Sequence, residues 1–312
     1  MTIDVHNHIW TREYLSDHWW DIYSNFFSTY ITDSPFSGTP EEIDRNLFAK
    51  CFDPDGSECI SEMDEAGIDV AVVTAIDGSC VLGEAPKSVE EQNRELAQIC
   101  AAYPDRYIFF SCIDPRAPGA LEFVERSVEE WNAKGFKFHP NMSGLYPWHE
   151  AAYPIYERLQ SLGLPVLFHT GQMFEPLDPK FSQPRELVQV LTDFPNLKVI
   201  AAHLGIASWR ELIDVARDRP NLVTDFSAFQ HEAATNYGRF CLVLRRVIDG
   251  LGPERVLFGC DGPVWTRWYS RKWWVDLVRS LPDNPTERAS FTQEEVEAML
   301  HGNAARVLGL SP

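Results

Sequence analysis

The sequence predicts an α/β protein built on a (β/α)8 barrel, and three observations support this fold class. Eight short runs rich in β-branched and aromatic residues recur, and from the second run onward they start 24 to 39 residues apart. Amphipathic segments follow most of these runs, as a repeat of strand, turn and helix requires. The runs are continuously apolar, which is typical of parallel strands buried on both faces. An open, doubly wound sheet is the alternative, and the lack of a glycine-rich phosphate loop after any early strand disfavours it.

The predicted elements follow the chain in the order that a barrel needs. The strands are predicted at 2–6, 68–76, 107–114, 135–140, 165–171, 198–205, 222–228 and 256–263. The helices are predicted at 57–66, 88–102, 118–133, 150–162, 184–194, 208–219, 237–250 and 271–280. Eight strands and eight helices are the set that closes a (β/α)8 barrel.

Two segments lie outside this repeat. Residues 9–56 form an insertion after the first strand, with seven aromatic residues between Trp10 and Phe27, so we expect an ordered and functional segment rather than a flexible linker. Residues 291–310 begin with a capping box, Thr292 followed three residues later by Glu295, which predicts a terminal helix. No domain boundary is visible, and we expect residues 1–312 to form one domain.

Composition and charge exclude several classes of protein. The chain has 27 Lys and Arg against 46 Asp and Glu, and its formal charge of −19 disfavours nucleic acid and anionic membranes as partners. No apolar stretch approaches the roughly 20 residues of a membrane helix. Seven cysteines without a CxxC pair predict a reducing, cytoplasmic setting. The first residues enter a strand without the features of a signal peptide, so we expect no export.

Polar residues capable of chemistry end five of the predicted strands. In barrels of this kind the active site lies at the carboxyl ends of the strands. Each residue alone has a structural interpretation, such as a core histidine hydrogen-bonded to a carbonyl group. Buried imidazoles and carboxylates are costly unless they are paired or bind a metal, so together they indicate a site. The residues are His6, His8, Lys137, His139, His169, His203 and Asp261.

Four of these residues make a ligand set for one divalent cation. The imidazoles of His6, His8 and His169 and the carboxylate of Asp261 would hold Zn²⁺ and leave a position for water. Asp261 would take the proton of that water and return it to the leaving group. His203 would be a catalytic residue but no ligand, polarising the substrate oxygen or moving protons.

Lys137 and His139 alternate on one strand and are candidate substrate-binding residues. Three roles are open for Lys137. It can bridge two metals as a carbamate, bind a substrate carboxylate through its ammonium group, or form an ion pair inside the barrel.

Aromatic residues crowd the loops after the first and the eighth strand, which are neighbours in a closed barrel. Trp10 and Trp265 would line an aromatic-walled pocket for a flat or apolar substrate, with Arg12, Arg267 or Arg271 available for a carboxylate. The alternative is a subunit interface, where such aromatic residues are enriched.

At these residues the sequence resembles the amidohydrolase superfamily, and most closely its amidohydrolase-2 or ACMSD-like subgroup. The matching pieces run in family order: IDVHNH at 3–8, GFKFHP at 135–140, LPVLFHTG at 164–171, KVIAAHLG at 198–205, VLFGCDGP at 256–263 and GNAARVLGL at 302–310. The resemblance implies a distorted barrel, one metal that is usually zinc and in some decarboxylases manganese, and frequent homodimers. By match of motif, it places metal ligands on His6, His8, His169 and Asp261.

The sequence also departs from the family pattern. Ile206 follows Gly205 where a second glycine is frequent, and Gly262 follows Asp261 where a bulkier residue is common. Some decarboxylases of the subgroup begin with Glu-x-His, and this chain does not.

The predicted function is metal-dependent hydrolysis of an ester, lactone or amide in a small aromatic or carboxylate-bearing substrate. The alternative is nonoxidative decarboxylation of an aromatic or unsaturated acid, which needs a carboxylate clamp. A metal-binding protein without catalysis is a third interpretation, but it predicts the loss of catalytic positions that this sequence retains.

Overall fold

A computed structural model describes residues 1–30 and 36–310 of the chain. Part of the predicted insertion and the last two residues of the predicted domain therefore lie outside the described residues. Eight parallel strands follow one another as predicted, but most are shorter, because the polar residues at their carboxyl ends lie in turns. They are β1 (Ile3–Asn7), β2 (Val70–Thr74), β3 (Tyr107–Phe110), β4 (Phe136–Phe138), β5 (Val166–Phe168), β6 (Val199–Ala201), β7 (Leu222–Asp225) and β8 (Val256–Leu257).

Helices connect the strands, and all eight predicted helices are present with ends that differ by a few residues. The helices are α1 (Asp17–Tyr30), α2 (Pro40–Asn46), α3 (Ser57–Ala66), α4 (Ser79–Leu82), α5 (Val89–Ala102), α6 (Ala120–Glu129), α7 (Pro140–Ser143), α8 (Tyr153–Leu162), α9 (Val188–Asp193), α10 (Trp209–Ala216), α11 (Gln230–Thr235), α12 (Tyr237–Leu251), α13 (Val264–Trp268), α14 (Arg271–Arg279), α15 (Gln293–Glu297) and α16 (Asn303–Leu308). Within the described ranges, none of them is long and apolar enough to cross a membrane.

The strands form two sheets, β1-β2-β3 and β4-β5-β6-β7-β8, and backbone hydrogen bonds join the sheets at both seams. Between β3 and β4, the N–H of Ser111 donates to the carbonyl of Gly135 at 3.1 Å. Between β8 and β1, the N–H of Val5 donates to the carbonyl of Phe258 at 3.0 Å, and that of Asp261 to His6 at 2.7 Å. These bonds close the sheet into the predicted barrel.

A bulge in β1 determines which of its side chains face the barrel interior. Asp4 pairs with Ala71 and Asn7 pairs with Val73, so three residue steps in β1 match two in β2. Because of the extra residue, Val5 and the following His6 both face inward, whereas Asp4 and Asn7 both face α14 outside the barrel.

The barrel interior is filled by one apolar cluster to which seven strands contribute. Its strand residues are Ile3, Val5, Val72, Phe110, Leu167, Ile200, Val223 and Leu257. The terminal helical segment adds Ala304 and Val307 to this cluster. The predicted capping box of Thr292 and Glu295 is present, but a π-helical turn at Ala298–Gly302 separates α15 from α16.

The insertion after β1 forms α1, α2 and two short 3₁₀ turns, so the described part of it is ordered as predicted. Its aromatic side chains pack on one another, for example Trp19 on Tyr23 with ring centroids 4.6 Å apart. Phe27 of α1 lies 6.3 Å from Trp265 of α13. The loops after β1 and β8 therefore meet above the carboxyl ends of the strands.

Candidate metal centre

The carboxyl ends of the strands surround a cavity of about 960 Å³. Five imidazoles and one carboxylate that the sequence analysis singled out line this cavity. They are His6, His8, His139, His169, His203 and Asp261. The five histidines are buried, each with at most 6% of its surface exposed. The structure thus brings together residues that are separated by up to 255 positions in the chain, from His6 to Asp261.

Asp261 lies at the centre of this group. The Nε2 atoms of His6 and His8 each lie 3.6 Å from its Oδ1 atom. The ligand atoms of His6, His203 and Asp261 all lie within 4.8 Å of one another. A small cation can contact donor atoms at such separations after minor side-chain adjustment. These residues therefore form the most compact candidate ligand set among the described residues.

His169 is attached to this set through His203. Its Nδ1 atom lies 3.2 Å from Nε2 of His203. Its Nε2 atom is buried and has no hydrogen-bond partner in the described chain. An orphaned, buried imidazole nitrogen is unfavourable in a folded protein, and a metal ion would satisfy it. The geometry is compatible with either His169 or His203 as a ligand beside His6, His8 and Asp261, and the non-ligand role predicted for His203 stays a prediction.

The far nitrogens of the two β1 histidines are anchored to the protein. Nδ1 of His6 lies 3.2 Å from Asp225 Oδ2, and Nδ1 of His8 lies 3.1 Å from the carbonyl oxygen of Thr74. A ring that donates its Nδ1 proton to such acceptors keeps a lone pair on Nε2, the nitrogen that faces Asp261. These contacts therefore hold both rings with Nε2 towards Asp261, the orientation that a shared metal would require.

Asp225 and Ser227 contact the candidate centre, and the sequence analysis did not single them out. Oδ1 of Asp225 accepts hydrogen bonds from the backbone N–H of His203 at 3.1 Å and from Ser227 Oγ at 2.5 Å. Ser227 Oγ in turn lies 2.9 Å from Nδ1 of His203. One acid and one hydroxyl thus position both His6 and His203. The sequence feature that could have identified them is the polar end of the predicted strand at 222–228, where other strands carry histidine.

Burial and charge determine the protonation of the centre. Burial lowers the pKa of His6, His8, His139 and His169, and it lowers the pKa of His203 to about 4. Burial alone would raise the pKa of the Asp261 carboxyl, but the neighbouring imidazoles outweigh this effect and hold that pKa well below its ordinary value. Neutral imidazoles beside an ionised carboxylate are the protonation states in which these groups bind metals.

Lys137 lies inside the barrel directly below the imidazoles. Its Nζ atom is 2.9 Å from Nε2 of His6, and burial lowers its pKa to about 8. Within the described ranges, no carboxylate lies within 4.0 Å of this ammonium group, so its direct partner is an imidazole. His139 faces the cavity, and its Nδ1 atom has no partner among the described residues.

The backbone is strained where the centre is built. His203 has a φ of 61° and Asp261 has a φ of 52°, both in the left-handed region that favours glycine. Ile206, which also lines the cavity, combines a φ of 51° with a ψ of −114°. Residues with side chains adopt such angles at a cost of about 1–3 kcal/mol each, and they cluster at functional sites.

The predicted substrate-binding residues separate into two groups. Trp10 and Trp265 line the cavity, together with aromatic residues of α1. Three of the other predicted residues do not line it. Lys137 is fully buried against His6, Arg12 pairs with Asp44, and Arg267 pairs with Glu58 and Glu62.

The structure supplies an arginine that the sequence analysis did not identify. Arg239 of α12 lines the outer part of the cavity, where it pairs with Glu232 at 2.7 Å. No local signal marks it, because α12 reaches the cavity only through the barrel topology.

Comparison with known proteins places this geometry in a family. A family model described as Amidohydrolase, Amidohydro_2, matches residues 3–310. A curated relative, 2-amino-3-carboxymuconate-6-semialdehyde decarboxylase from Dictyostelium discoideum, is 23% identical over 300 residues, which cover 86% of this chain and 80% of the relative.

Solved structures share the fold over the whole chain. An uncharacterised TIM-barrel protein from Bordetella bronchiseptica matches with a TM-score of 0.70 and 22% identity, covering 99% of this chain and 98% of the other. 5-Carboxyvanillate decarboxylase from Sphingomonas paucimobilis matches with a TM-score of 0.69 and 19% identity, covering 99% of both chains. A probable 2-pyrone-4,6-dicarboxylic acid hydrolase from Acinetobacter baumannii has a TM-score of 0.65 and 13% identity, again over 99% of both chains.

These matches confirm the resemblance inferred from the motifs and the predicted barrel fold. The chain belongs to the amidohydrolase family, whose members include metal-dependent hydrolases and decarboxylases.

Proposed function

We propose that the protein is a hydrolase that uses one divalent metal to cleave an ester, lactone or amide bond in a small substrate. One observation carries this proposal: neutral imidazoles and an ionised carboxylate converge at the inner end of a large cavity. When bound, the metal supplies two kinds of chemistry, activation of a water nucleophile near neutral pH and polarisation of the scissile carbonyl.

The residues of the chain have distinct roles in this proposal. His6, His8 and Asp261 hold the metal, with His169 as the fourth ligand. Asp261 remains ionised at neutral pH, so its free oxygen can accept the proton of the attacking water and pass it to the leaving group. His203 is neutral and faces the same cavity, where it orients the substrate oxygen or carries a proton.

Zn²⁺ is our first choice for the metal, and Mn²⁺ is the second. Imidazole nitrogens and a carboxylate oxygen are donors that catalytic zinc uses, and zinc can expand to five ligands when water joins four protein donors. The alternative is supported by the 5-carboxyvanillate decarboxylase from Novosphingobium aromaticivorans, a structural neighbour that binds manganese.

We infer a small substrate with a flat or apolar body. Aromatic residues of the insertion and of α13 form much of the cavity wall, with Trp10, Trp19, Tyr23 and Trp265 among them. Such walls suit an aromatic or unsaturated ring. A substrate carboxylate, where present, would meet His139 near the metal, or Arg239 in competition with Glu232.

Decarboxylation of an aromatic or unsaturated acid is the second candidate function. It is supported by the names of the Dictyostelium discoideum relative and the Sphingomonas paucimobilis neighbour. However, Arg12, Arg267 and Arg271 pair with carboxylates outside the cavity, and Arg239 pairs with Glu232 at the cavity, so no arginine among the described lining residues is a free carboxylate clamp. We therefore rank hydrolysis first.

Elemental analysis followed by a substrate screen tests both functions. The purified protein is expected to contain about one Zn²⁺ or Mn²⁺ per chain and to release acid from aromatic esters or lactones. Release of CO2 from aromatic acids without ester or lactone hydrolysis would instead select the decarboxylase. Full metal occupancy without turnover on either panel would support the non-catalytic alternative, and a protein that binds no metal would exclude all three.

We also propose that each chain folds as one domain, that two chains form a homodimer and that the protein is cytoplasmic. All seven cysteines are free, which suits a reducing compartment. Half-buried aromatic residues after β8, including Trp268 and Trp273, suit a subunit interface. Light scattering of the purified protein should give twice the mass of the chain, and a monomer would contradict this assembly.

A further inference from the structure

A second cavity, of about 740 Å³, lies at the end of the barrel opposite the candidate metal centre. Three residues of its wall directly precede strands: Lys198 before β6, Asn221 before β7 and Arg255 before β8. The candidate metal centre lies at the carboxyl ends of the same three strands. The two cavities are therefore separate sites on a shared set of strands.

Positive side chains are concentrated in this second cavity. Lys198, Arg217, Arg255 and Arg306 all line it. Arg217 pairs with Asp214 at 3.0 Å. The other three cations have no carboxylate within 4.0 Å among the residues that the structure describes. Four cations and two acids, Asp218 and Glu254, line this cavity, so its wall carries a net positive charge in a chain of net charge −19.

Neutral acceptors hold these cations in place. Lys198 Nζ donates to the carbonyl of Val307 at 3.0 Å, and Arg255 Nη1 donates to the carbonyls of Ala216 and Arg219 at 3.0 and 3.1 Å. Arg306 donates from Nη2 to the carbonyl of Glu254. These bonds fix the side chains without cancelling their charge.

The same bonds leave donors available. Carbonyl groups at helix ends explain part of the cluster, since cations commonly interact with them. Yet Nη2 of Arg255, Nη1 of Arg306 and two ammonium protons of Lys198 are left over within the described structure. Helix capping therefore uses only part of the donor capacity of these three cations, and the remaining donors are available to an anion.

We propose that this cavity binds a small multivalent oxyanion, of which inorganic phosphate is the simplest example. Guanidinium and ammonium donors around one cavity match the charge and the acceptor geometry of such an anion. Asp218 and Glu254 also line the cavity, so binding depends on the three cations outweighing these two acids. The proposal does not depend on the catalytic function inferred above.

The test compares anion binding by the metal-loaded protein and its variants. Calorimetric titration with phosphate, sulfate and malonate at fixed ionic strength, with chloride as the blank, should show one site at the millimolar level or tighter. Lys198→Gln and Arg306→Gln should each weaken binding about tenfold, because each removes one charge-assisted hydrogen bond. Lys272→Gln removes an equal charge from an exposed ion pair on α14 and should leave binding unchanged.

Further variants separate this cavity from the metal centre, to which anions can also bind. Asp261→Asn alters only the metal centre, so anion binding should survive it. Phosphate should also raise the unfolding temperature of the wild type but not of the Lys198→Gln/Arg306→Gln double variant. No binding by the wild type, binding lost in Asp261→Asn, or equal weakening by Lys272→Gln would each overturn the proposal.

Discussion

The inward and outward sides of β1 show two ways in which a protein buries polar groups. On the outward side, Asp4 and Asn7 both accept hydrogen bonds from Arg271, at 2.8 and 2.6 Å. Asp4 also accepts from the N–H of His6 and of Cys260. On the inward side, His6 and His8 direct Nε2 atoms at one carboxylate, in a group where other imidazole nitrogens have no partner.

Within this one strand, the outward polar side chains have a structural role, and the inward ones are candidates for a functional role. Polar groups whose bonds are all made within the protein stabilise the fold and have no capacity left for a ligand. Polar groups that converge and retain unsatisfied atoms are available for a metal or a substrate. Five predictions test this distinction.

The largest effect is expected on the inward side, in the variant Asp261→Asn. Loss of the carboxylate removes a ligand and the proton acceptor, so turnover should fall about 10⁴-fold, equivalent to ~5.4 kcal/mol. The unfolding temperature without metal should also fall, because the neighbouring imidazoles hold the pKa of this carboxyl below its ordinary value and the ionised side chain therefore stabilises the fold. Steady-state kinetics and elemental analysis check both points. Retained metal with unchanged turnover would show that Asp261 belongs to neither role.

On the outward side, Arg271→Met should mainly affect stability. Removal of the guanidinium leaves the Asp4 carboxylate buried without a compensating charge, which should lower the free energy of unfolding by about 3–5 kcal/mol. Urea denaturation measures the loss, and the adjacent exposed variant Lys272→Met serves as the control. If Arg271→Met costs no more than this control, the outward cluster is not a stabilising one.

Lower pH should destabilise the metal-free protein through the inward imidazoles. Burial lowers the pKa of His203 to about 4, below the ordinary value of 6.5, so the unfolded chain binds its proton first. Stability from this group is complete above pH 6.5 and is lost as the pH falls towards 4, by about 2 kcal/mol between pH 7 and 5. Denaturation curves of the metal-free protein at both pH values test this expectation, and equal stabilities would contradict it.

The substitution Ile206→Gly should relieve backbone strain next to the candidate metal centre. A β-branched residue with φ of 51° and ψ of −114° is unfavourable, and glycine adopts these angles freely. Ile206→Gly should therefore raise the free energy of unfolding by about 1 kcal/mol, after the entropic cost of glycine is subtracted. The variant should also accept bulkier substrates, because Ile206 lines the cavity. A less stable variant would show that packing of this side chain outweighs its backbone strain.

The smallest effect is expected at Arg12, the predicted carboxylate binder that lies outside the cavity. Its pair with Asp44 is exposed, with 43% of the arginine side chain accessible, so Arg12→Ala should change stability by no more than about 0.5 kcal/mol. The KM of the Arg12→Ala variant should match that of the wild type, whereas Arg239→Gln should raise the KM for acidic substrates. A raised KM in Arg12→Ala would show that Arg12 does contribute to substrate binding.

Sequence patterns predicted most of the fold and most of the centre, and the reasons are local. The spacing of apolar runs placed all eight strands, and the Thr292 capping box placed the start of α15. Histidine and aspartate at strand ends identified His6, His8, His169, His203 and Asp261 as a group. The sequence analysis did not identify Asp225 and Ser227, because serine and aspartate are common in turns and these two have no distinctive spacing.

The arginines show most clearly where a sequence is insufficient. Arg12, Arg267 and Arg271 were all considered as carboxylate binders because they follow aromatic loops. The structure pairs each of them with acids away from the cavity, whereas Arg239 lines the cavity and pairs there with Glu232. A side chain's partners depend on how segments far apart in the chain pack together, and no local pattern encodes that packing.

By itself, the amino-acid order determined the alternation of strands and helices and the identity of the residues at the strand ends, because both follow from short-range periodicity. Tertiary structure alone decided the β1 bulge, the nitrogen that each imidazole presents and the acid that each arginine meets. These features arise from strand register and from contacts between distant segments, where burial decides which polar groups are satisfied and which are left for a ligand.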